Sequence, residues 1–164
     1  MFRVSRWLMV AAFVIGVAAL TSQDGLAAAK AQAAHPAAKI DPTHIAYTLP
    51  SHIKWTKLLA GAQSAVLMGD PSKPGWYIML VKWMPHHFSQ PHFHPNDRYV
   101  TVLSGTWWVS SSDKYDPDAT VPMPAGSFVT DLAKQVHWDG AKDEPVVLEI
   151  VGEGPDTMTL AGKR

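Results

Sequence analysis

Two histidines one residue apart, His92 and His94, stand in the stretch PHFHPNDRYVTVLSG, which runs from Pro91 to Gly105. Alternate side chains of a β-strand face the same side, so the two imidazoles would lie roughly 7 Å apart along the chain and could converge on one ion. Imidazole is a ligand for zinc, copper, iron and nickel. The pair therefore predicts part of a transition-metal site. Four residues after His94, where an acidic ligand would complete such a site, the chain has Arg98.

The elements that must position this pair are short. From Ile45 onward the chain is a series of apolar runs separated by turn residues, and we predict strands in SAVLMG, WYIMLVKWM, RYVTVLSG, TWWVS, SFVTDLA and PVVLEIVGEGP. SSDKYDPDATVPMPAG is expected to be a polar loop, and HIKWTKLLAGAQ to hold a helical turn. Regular short strands with turn residues between them favour an all-β sandwich or barrel.

The N-terminal part is expected to lie outside this domain. MFRVSR carries two arginines, WLMVAAFVIGVAAL is continuously apolar, and small residues follow. That order is typical of a cleavable secretory signal peptide, and an apolar run of about 14 residues is shorter than the ~20 that cross a bilayer. We therefore expect a signal peptide at 1–29, a flexible leader at 30–44 and a single domain at 45–164, in a periplasmic or secreted protein without a stable membrane anchor.

Composition excludes some partners. The mature chain would carry 12 basic and 13 acidic residues, a formal net charge of −1, because Arg3, Arg6 and Asp24 leave with the signal peptide. Nucleic-acid-binding proteins usually carry a concentrated basic surface, so no nucleic-acid partner is expected. The chain has no cysteine, so stability must come from packing and from any bound metal, without disulfides.

With its surroundings, the histidine pair resembles the first motif of the cupin superfamily, which reads Gly, five residues, His-x-His, three or four residues, Glu, six residues, Gly. His92, His94 and Gly105 match, whereas His86 stands for the first Gly and Arg98 for the Glu. The second motif reads Gly, five residues, Pro-x-Gly-x-x-His, three residues, Asn. Its Gly and His are matched by Gly126 and His137, and the three other positions are Leu132, Lys134 and Ala141. The resemblance covers roughly residues 66–155.

The resemblance implies a cupin-type double-stranded β-helix, a jelly-roll barrel, in which His92, His94 and His137 hold one divalent transition metal. Three neutral imidazoles without a carboxylate favour copper or zinc, with iron, manganese and nickel as alternatives. Three protein ligands with an open position suffice for a catalytic site. Candidates for a fourth ligand, or for a partner of the ligands, are Gln90, Glu149 and His86, with His87 and Asp97 as further choices.

Arg98 leaves three interpretations open. It pairs with Asp97, Asp139 or Glu149 and is structural, or it orients an anionic group of a substrate through its planar donor fork, or the site has lost its metal and binds a small molecule. Among the seven tryptophans, Trp83, Trp107 and Trp138 are candidates for the pocket wall, and Trp138 is favoured because it follows His137 directly.

No phosphate loop, nucleophile elbow or cysteine nucleophile is present, so any chemistry is expected to belong to the metal. We expect an exported metalloenzyme, with oxidoreductase or dioxygenase-like chemistry slightly favoured, acting on a small anionic or sugar-like molecule. The alternative is a non-catalytic sensor or carrier that uses Arg98 and the pocket tryptophans. A homodimer is expected by analogy with small cupins, and the apolar TWWV run is compatible with it.

Overall fold

The computed structural model describes residues 39–162, so the predicted signal peptide and most of the predicted leader lie outside the described residues. The chain divides into two compact units, Met1–Ala46 and Tyr47–Arg164. In the described part of the first unit, Asp41 Oδ1 accepts hydrogen bonds from the amide and hydroxyl of Thr43. Within residues 39–162 no helix has the length and apolarity needed to cross a membrane.

Twelve strands are found in the described residues, all of them in the second unit. They are β1 (Thr56–Leu59), β2 (Ala62–Met68), β3 (Gly75–Trp83), β4 (His87–Phe88), β5 (His92–Phe93), β6 (Arg98–Ser104), β7 (Thr106–Ser110), β8 (Val121–Pro124), β9 (Phe128–Asp131), β10 (Trp138–Ala141), β11 (Val146–Gly154) and β12 (Thr159–Leu160). Two short 3₁₀ helices, Pro50–His52 and Pro117–Ala119, accompany them.

The strands form two larger sheets and one small pair. The first sheet has the order β1-β2-β3-β11-β6-β9, the second has the order β4-β10-β7-β8, and β12 pairs with β5. Every pairing between these strands is antiparallel. The all-β prediction is therefore confirmed.

Alternation along the long strands builds the core. On β11, Val146, Leu148 and Ile150 are buried while the residues between them are half-buried. They belong to one buried cluster with side chains from β3 and β6 of the same sheet and with Trp107 and Ala141 from the second sheet. Each fully buried aliphatic side chain contributes about 1.5–3 kcal/mol relative to an exposed one. The shared cluster therefore holds the two sheets together around a common interior.

Gly105 carries the chain from one sheet to the other. It lies between β6 and β7, which do not pair with each other, and has a φ of +73°. A Cβ at this position would lie 2.3 Å from the carbonyl oxygen of Pro145. The predicted strands RYVTVLSG and TWWVS are therefore both present, but they belong to different sheets.

Other local predictions were wrong. Most of HIKWTKLLAGAQ forms the β1–β2 hairpin, with a 3₁₀ helix only at its start. The predicted polar loop contains β8, and neither β10 nor β12 was predicted. β8 and β10 are short and contain proline, glycine or aspartate, so tertiary pairing overrides their low strand propensity, and β12 has only two residues, too few to form a recognisable pattern.

Candidate metal centre

The structure brings His92, His94 and His137 together. Their nearest ring nitrogens all lie within 4.8 Å of one another, and the ring centroids are 4.5 to 5.5 Å apart. His92 lies on β5, His94 directly follows that strand, and His137 immediately precedes β10. The backbones of His92 and His137 exchange two 2.9 Å N–H···O hydrogen bonds, which fix one imidazole beside the other.

Each imidazole is oriented through its Nδ1 atom. His92 Nδ1 donates to the carbonyl oxygen of Gln90 at 2.7 Å, and His137 Nδ1 donates to that of Gln135 at 3.2 Å. His94 Nδ1 donates to Asp156 Oδ1 at 2.7 Å. A neutral imidazole that donates from Nδ1 keeps its lone pair on Nε2, and metal-bound histidines in proteins are held in this way. All three imidazoles therefore present Nε2 as the ligand atom.

Burial keeps two of these imidazoles neutral. It lowers the pKa of His92 to about 4, opposed by the negative charge of Asp139 and assisted by the neighbouring imidazoles. Burial also lowers the pKa of His94, against the hydrogen bond to Asp156, and the positive charge of Arg98 acts in the same direction as burial. Neutral imidazole is the form that binds metal, so these two histidines need release no proton to do so at neutral pH.

Two observations show that a divalent cation fits these residues. His94 Nε2 is buried and has no hydrogen-bond partner among the described residues. The carboxylates of Asp131, Asp139 and Asp156 are buried around the cluster with a single guanidinium, that of Arg98, which leaves a formal charge of −2 when the imidazoles are neutral. Buried charge is costly unless it is compensated, and a divalent ion held by three imidazoles compensates it.

Arg98 points inward and is paired with carboxylates. It begins β6, its register partner on β9 is Asp131, and its side chain is only 12% exposed. Its Nη2 lies 2.6 Å from Asp131 Oδ2 and 3.4 Å from His137 Nε2, and its Nη1 lies 3.9 Å from Asp156 Oδ2. The predicted pairing with a carboxylate is thus found, but its predicted partners were wrong.

Those predicted partners lie elsewhere. Asp97 is exposed, and its Oδ1 accepts the backbone N–H of Ala133. Asp139 is buried, but the indoles of Trp83 and Trp107 are bound to its carboxylate. Glu149 is on the opposite face of β11 from Leu148 and Ile150, which line the interior. That orientation also contradicts Glu149 as a fourth metal ligand.

The remaining ligand candidates are not in the cluster as side chains. Gln90 is exposed and acts through its backbone carbonyl, so it is a partner of His92 and not a ligand. His86 is exposed, and its backbone N–H donates to the carbonyl oxygen of Lys142. His87 is also exposed, with Nδ1 2.7 Å from the carbonyl oxygen of Pro85.

An apolar cavity of about 320 Å³ opens beside the histidines. His92, His94 and Arg98 lie on its wall, and most of the other lining side chains are aliphatic or aromatic: Leu58, Leu59, Pro71, Met79, Val81, Trp83, Trp107, Leu148, Ile150 and Met158. Two of the predicted pocket tryptophans, Trp83 and Trp107, are therefore in place. Trp138 is not, because its fully buried ring packs away from this cavity, against Phe88 and Tyr115.

Asp139 holds the two cavity tryptophans. Its Oδ2 accepts the indole N–H of Trp107 at 2.7 Å and that of Trp83 at 3.1 Å, and its Oδ1 accepts the hydroxyl of Ser89 at 2.9 Å. From the sequence, this carboxylate is expected only as a partner of Arg98. Its position two residues after His137 could have indicated that both side chains face the same side of a strand.

Asp131, Asp156 and Tyr77 were missed altogether. Asp156 Oδ2 accepts the hydroxyl of Tyr77 at 2.7 Å. Burial raises the pKa of Tyr77, and the negative Asp156 adds to the effect. Burial acts to raise the pKa of Asp156 as well, but the hydrogen bond from His94, the Tyr77 hydroxyl and the Arg98 charge lower it overall. No local sequence pattern marks these three residues, because Asp131 and Asp156 meet the histidines, and Tyr77 meets Asp156, across long distances in sequence.

Two positions where the family motifs have glycine hold left-handed backbone in this chain. His86 and Lys134, which stand where the motifs have glycine, have φ values of +62° and +63°. Lys134 is the third residue of a turn closed by the Gln135 N–H and the Leu132 carbonyl, a position that favours glycine when φ is positive. Both positions thus have the left-handed conformation that favours glycine, although neither residue is glycine.

Comparisons with known proteins give structural relatives only. No protein-family model matches the chain, and no curated protein sequence matches it. Among solved structures, the polyketide cyclase RemF of Streptomyces resistomycificus superposes with a TM-score of 0.60 at 13% identity, over 73% of this chain and 87% of the cyclase. A cupin-2 domain of Rhodospirillum rubrum gives 0.55 at 16% identity, over 71% and 80%. The DMSP lyase DddQ of Ruegeria pomeroyi gives 0.55 at 13% identity, over 68% and 62%.

The similar structures therefore include enzymes and a protein described only as a cupin domain. At these identities the likeness concerns the fold and not the activity. Together with the antiparallel sheets and the three converging histidines, it confirms the architecture expected from the two motifs. The chain has the cupin fold.

Proposed function

We propose that this protein is a metalloenzyme in which His92, His94 and His137 hold a single divalent transition metal, with copper or zinc favoured, next to an apolar substrate cavity. One observation carries the proposal. The ring nitrogens of three histidines lie within 4.8 Å of one another, and two of these histidines, His92 and His94, line a mostly apolar cavity. Apolar cavities with a few convergent polar groups are the usual form of small-molecule sites.

The chemistry belongs to the metal because the cavity offers no free nucleophile. Ser89 is the hydroxyl side chain on its wall, and that hydroxyl is bonded to Asp139. The bound ion would supply Lewis acidity or, if it is copper or iron, the activation of O₂. The protein would exclude water with its aliphatic and indole walls and keep the three imidazoles in place through their Nδ1 hydrogen bonds.

The cavity favours a small neutral molecule with a mostly apolar body. An anionic substrate would need a free positive charge, but Arg98 is already bound to Asp131 and lies near Asp156. With a divalent ion in place the formal charge around the cluster is zero, so the cluster has no net positive charge that would favour an anion over a neutral molecule. The cavity volume of about 320 Å³ is at the small end of the 300–1,000 Å³ that is typical of ligand pockets. We therefore propose a neutral, mostly apolar substrate, with the anionic or sugar-like substrate expected from the sequence as the alternative.

Metal content is the first test. The mature chain is purified without a tag, its metals are measured by mass spectrometry, and the stripped protein is reloaded with copper, zinc, iron, nickel or manganese. We expect one ion per chain, lost in His92→Ala and in His137→Ala and retained in His52→Ala, a matched control whose imidazole is exposed and outside the cluster. A wild-type protein that no added ion can load would overturn the proposal and favour a metal-free binding protein.

Catalysis is tested on the loaded protein. O₂ consumption is measured with neutral aromatic alcohols and phenols, and binding is followed by tryptophan fluorescence, whose change we expect to come from the cavity residues Trp83 and Trp107 and to persist in Trp108→Phe. Oxidoreductase activity is the favoured outcome. Fluorescence changes without turnover of any compound, in the presence of a full complement of metal, would support a carrier or sensor in place of an enzyme.

Export and dimerisation complete the proposal. The basic, apolar and small-residue order of residues 1–29 supports a cleavable signal peptide, and the N-terminus of the protein recovered from periplasm and medium tests it. A homodimer is proposed from the small-cupin analogy and tested by light scattering. The TWWV run offers a dimer interface less exposed apolar surface than the composition of the run implies, because Trp107 is buried and Lys142 Nζ lies 4.0 Å above the ring of Trp108.

A further inference from the structure

The segment after the last long strand returns to the metal centre. β11 ends at Gly154, and residues 155–161, here called the C-terminal strap, run back along β5. Thr159 and Leu160 pair with Phe93 and His92. The strap is therefore hydrogen-bonded to the strand that carries His92.

Both ends of the C-terminal strap are fixed by the backbone. The N–H of Asp156 donates to the carbonyl oxygen of Pro71 at 2.7 Å, and the N–H of Ala161 donates to that of Pro91 at 2.8 Å. Between these two points, Met158 lines the apolar cavity. The strap thus belongs to the site although it lies outside both motifs.

Asp156 connects the strap to a metal ligand. Its Oδ1 accepts His94 Nδ1–H at 2.7 Å, and its Oδ2 accepts the hydroxyl of the fully buried Tyr77 at 2.7 Å. The side chains of His94 and Asp156 are only 7% and 10% exposed, so water competes little for this bond. Tyr77 fixes the carboxylate from its other side, and the carboxylate in turn fixes the plane of the imidazole.

We propose that Asp156 is a positioning residue of the metal centre. It holds His94 in the Nδ1–H tautomer, so that the buried Nε2, which has no other partner among residues 39–162, faces the ion. The inference rests on the proposed function, because it assigns a role toward the same ion. A carboxylate behind a ligating histidine fixes its tautomer and raises its basicity, and its loss typically costs 10- to 100-fold in metal affinity.

The decisive variant is Asp156→Asn, which keeps the shape but can present an N–H to His94 Nδ1. That contact favours the Nε2–H tautomer, which removes the lone pair from the metal-facing atom. We expect the zinc Kd, measured by competition with a chromophoric chelator, to rise 10- to 100-fold. Asp156→Glu should recover part of that loss, and Glu153→Gln, an exposed carboxylate nearby on β11, should leave the Kd unchanged.

A second readout needs no metal. Nitrogen NMR of ¹⁵N-histidine-labelled, metal-free protein reports the tautomer of each ring, assigned with His92→Ala, His94→Ala and His137→Ala. We expect His94 as Nδ1–H in the wild type and as Nε2–H in Asp156→Asn. A wild-type protein with His94 as Nε2–H overturns the inference even if the Asn variant fails to fold.

An unchanged zinc Kd in folded Asp156→Asn also overturns the inference. A wild-type protein that binds no metal would overturn the proposed function. The tautomer of His94 would still show whether Asp156 orients that imidazole. The two failures are therefore distinguishable.

Discussion

The ion pair beside His137 makes a sharp prediction about metal affinity. Arg98 Nη2 lies 3.4 Å and Asp131 Oδ2 lies 3.6 Å from His137 Nε2, so an ion bound to that nitrogen would feel a positive and a negative charge at similar distances. At about 5 Å and an effective dielectric constant of 20, a unit charge interacts with a divalent ion by about 7 kcal/mol. The repulsion and the attraction therefore largely cancel, and either charge alone would shift the affinity strongly.

We expect Arg98→Met to lower the metal Kd at least tenfold and Asp131→Asn to raise it at least tenfold, each tenfold step being 1.4 kcal/mol. These figures are well below 7 kcal/mol because the side chains move and water enters once a partner is lost. The double variant, Arg98→Met with Asp131→Asn, should return to within about threefold of the wild type. Kd values are measured by titration calorimetry with zinc and repeated with copper through a chelator.

Folding has to be controlled, because removing one partner of a buried pair typically costs 3–5 kcal/mol. The free energy of unfolding is therefore measured by urea titration for each metal-free variant, and only folded protein enters the affinity comparison. Single variants that change the Kd in the same direction, or a double variant no closer to the wild type than either single one, would refute the cancellation.

Three further predictions concern stability and are all measured by urea titration. Gly105→Ala should destabilise the fold by at least 2 kcal/mol, because its Cβ would meet the Pro145 carbonyl, whereas Gly126→Ala, with positive φ but open space around it, should cost about 1 kcal/mol. Equal losses would mean that the close contact does not matter. Lys134→Gly should stabilise by up to about 1 kcal/mol by relieving left-handed strain, and a loss of stability would contradict this reasoning. Trp107→Phe should cost roughly 1.5–3 kcal/mol, because Asp139 loses a 2.7 Å hydrogen bond, while Trp108→Phe should cost less than 1 kcal/mol. A larger loss for Trp108→Phe would argue against the role of Asp139.

The site residues that the sequence predicts are those with a characteristic spacing along the chain. His92 and His94 could be identified because alternation on a strand is a local property, and His137 because the second motif places it at a characteristic distance from Gly126. The register of the strands is not local. Arg98 meets Asp131 only because β6 pairs with β9, and no count along the chain reveals that pairing.

The wrong choices have a common physical cause. Trp138 was favoured because it adjoins His137, yet adjacent residues on a strand face opposite sides, and its ring lies away from the cavity. The same alternation places the Asp139 side chain on the same side of the chain as His137. It also points the Glu149 side chain of β11 away from the protein interior. Strand parity therefore agrees with the structure at all three positions, whereas adjacency to His137 gives the wrong side for Trp138.

The arginine in the first motif has consequences for recognition as well as for the metal. A guanidinium at Arg98 would repel an ion beside it, but the Asp131 carboxylate that neutralises this charge comes from the neighbouring strand. Once bound in this way, the guanidinium has its charge compensated, although its buried Nε has no hydrogen-bond partner among the described residues. Selectivity must then come from the shape of the apolar wall, to which Met158 of the C-terminal strap contributes. Replacing Met158 by a smaller or larger side chain should therefore change which neutral molecules bind. Replacing Arg98 by an uncharged side chain should instead change the affinity for the metal.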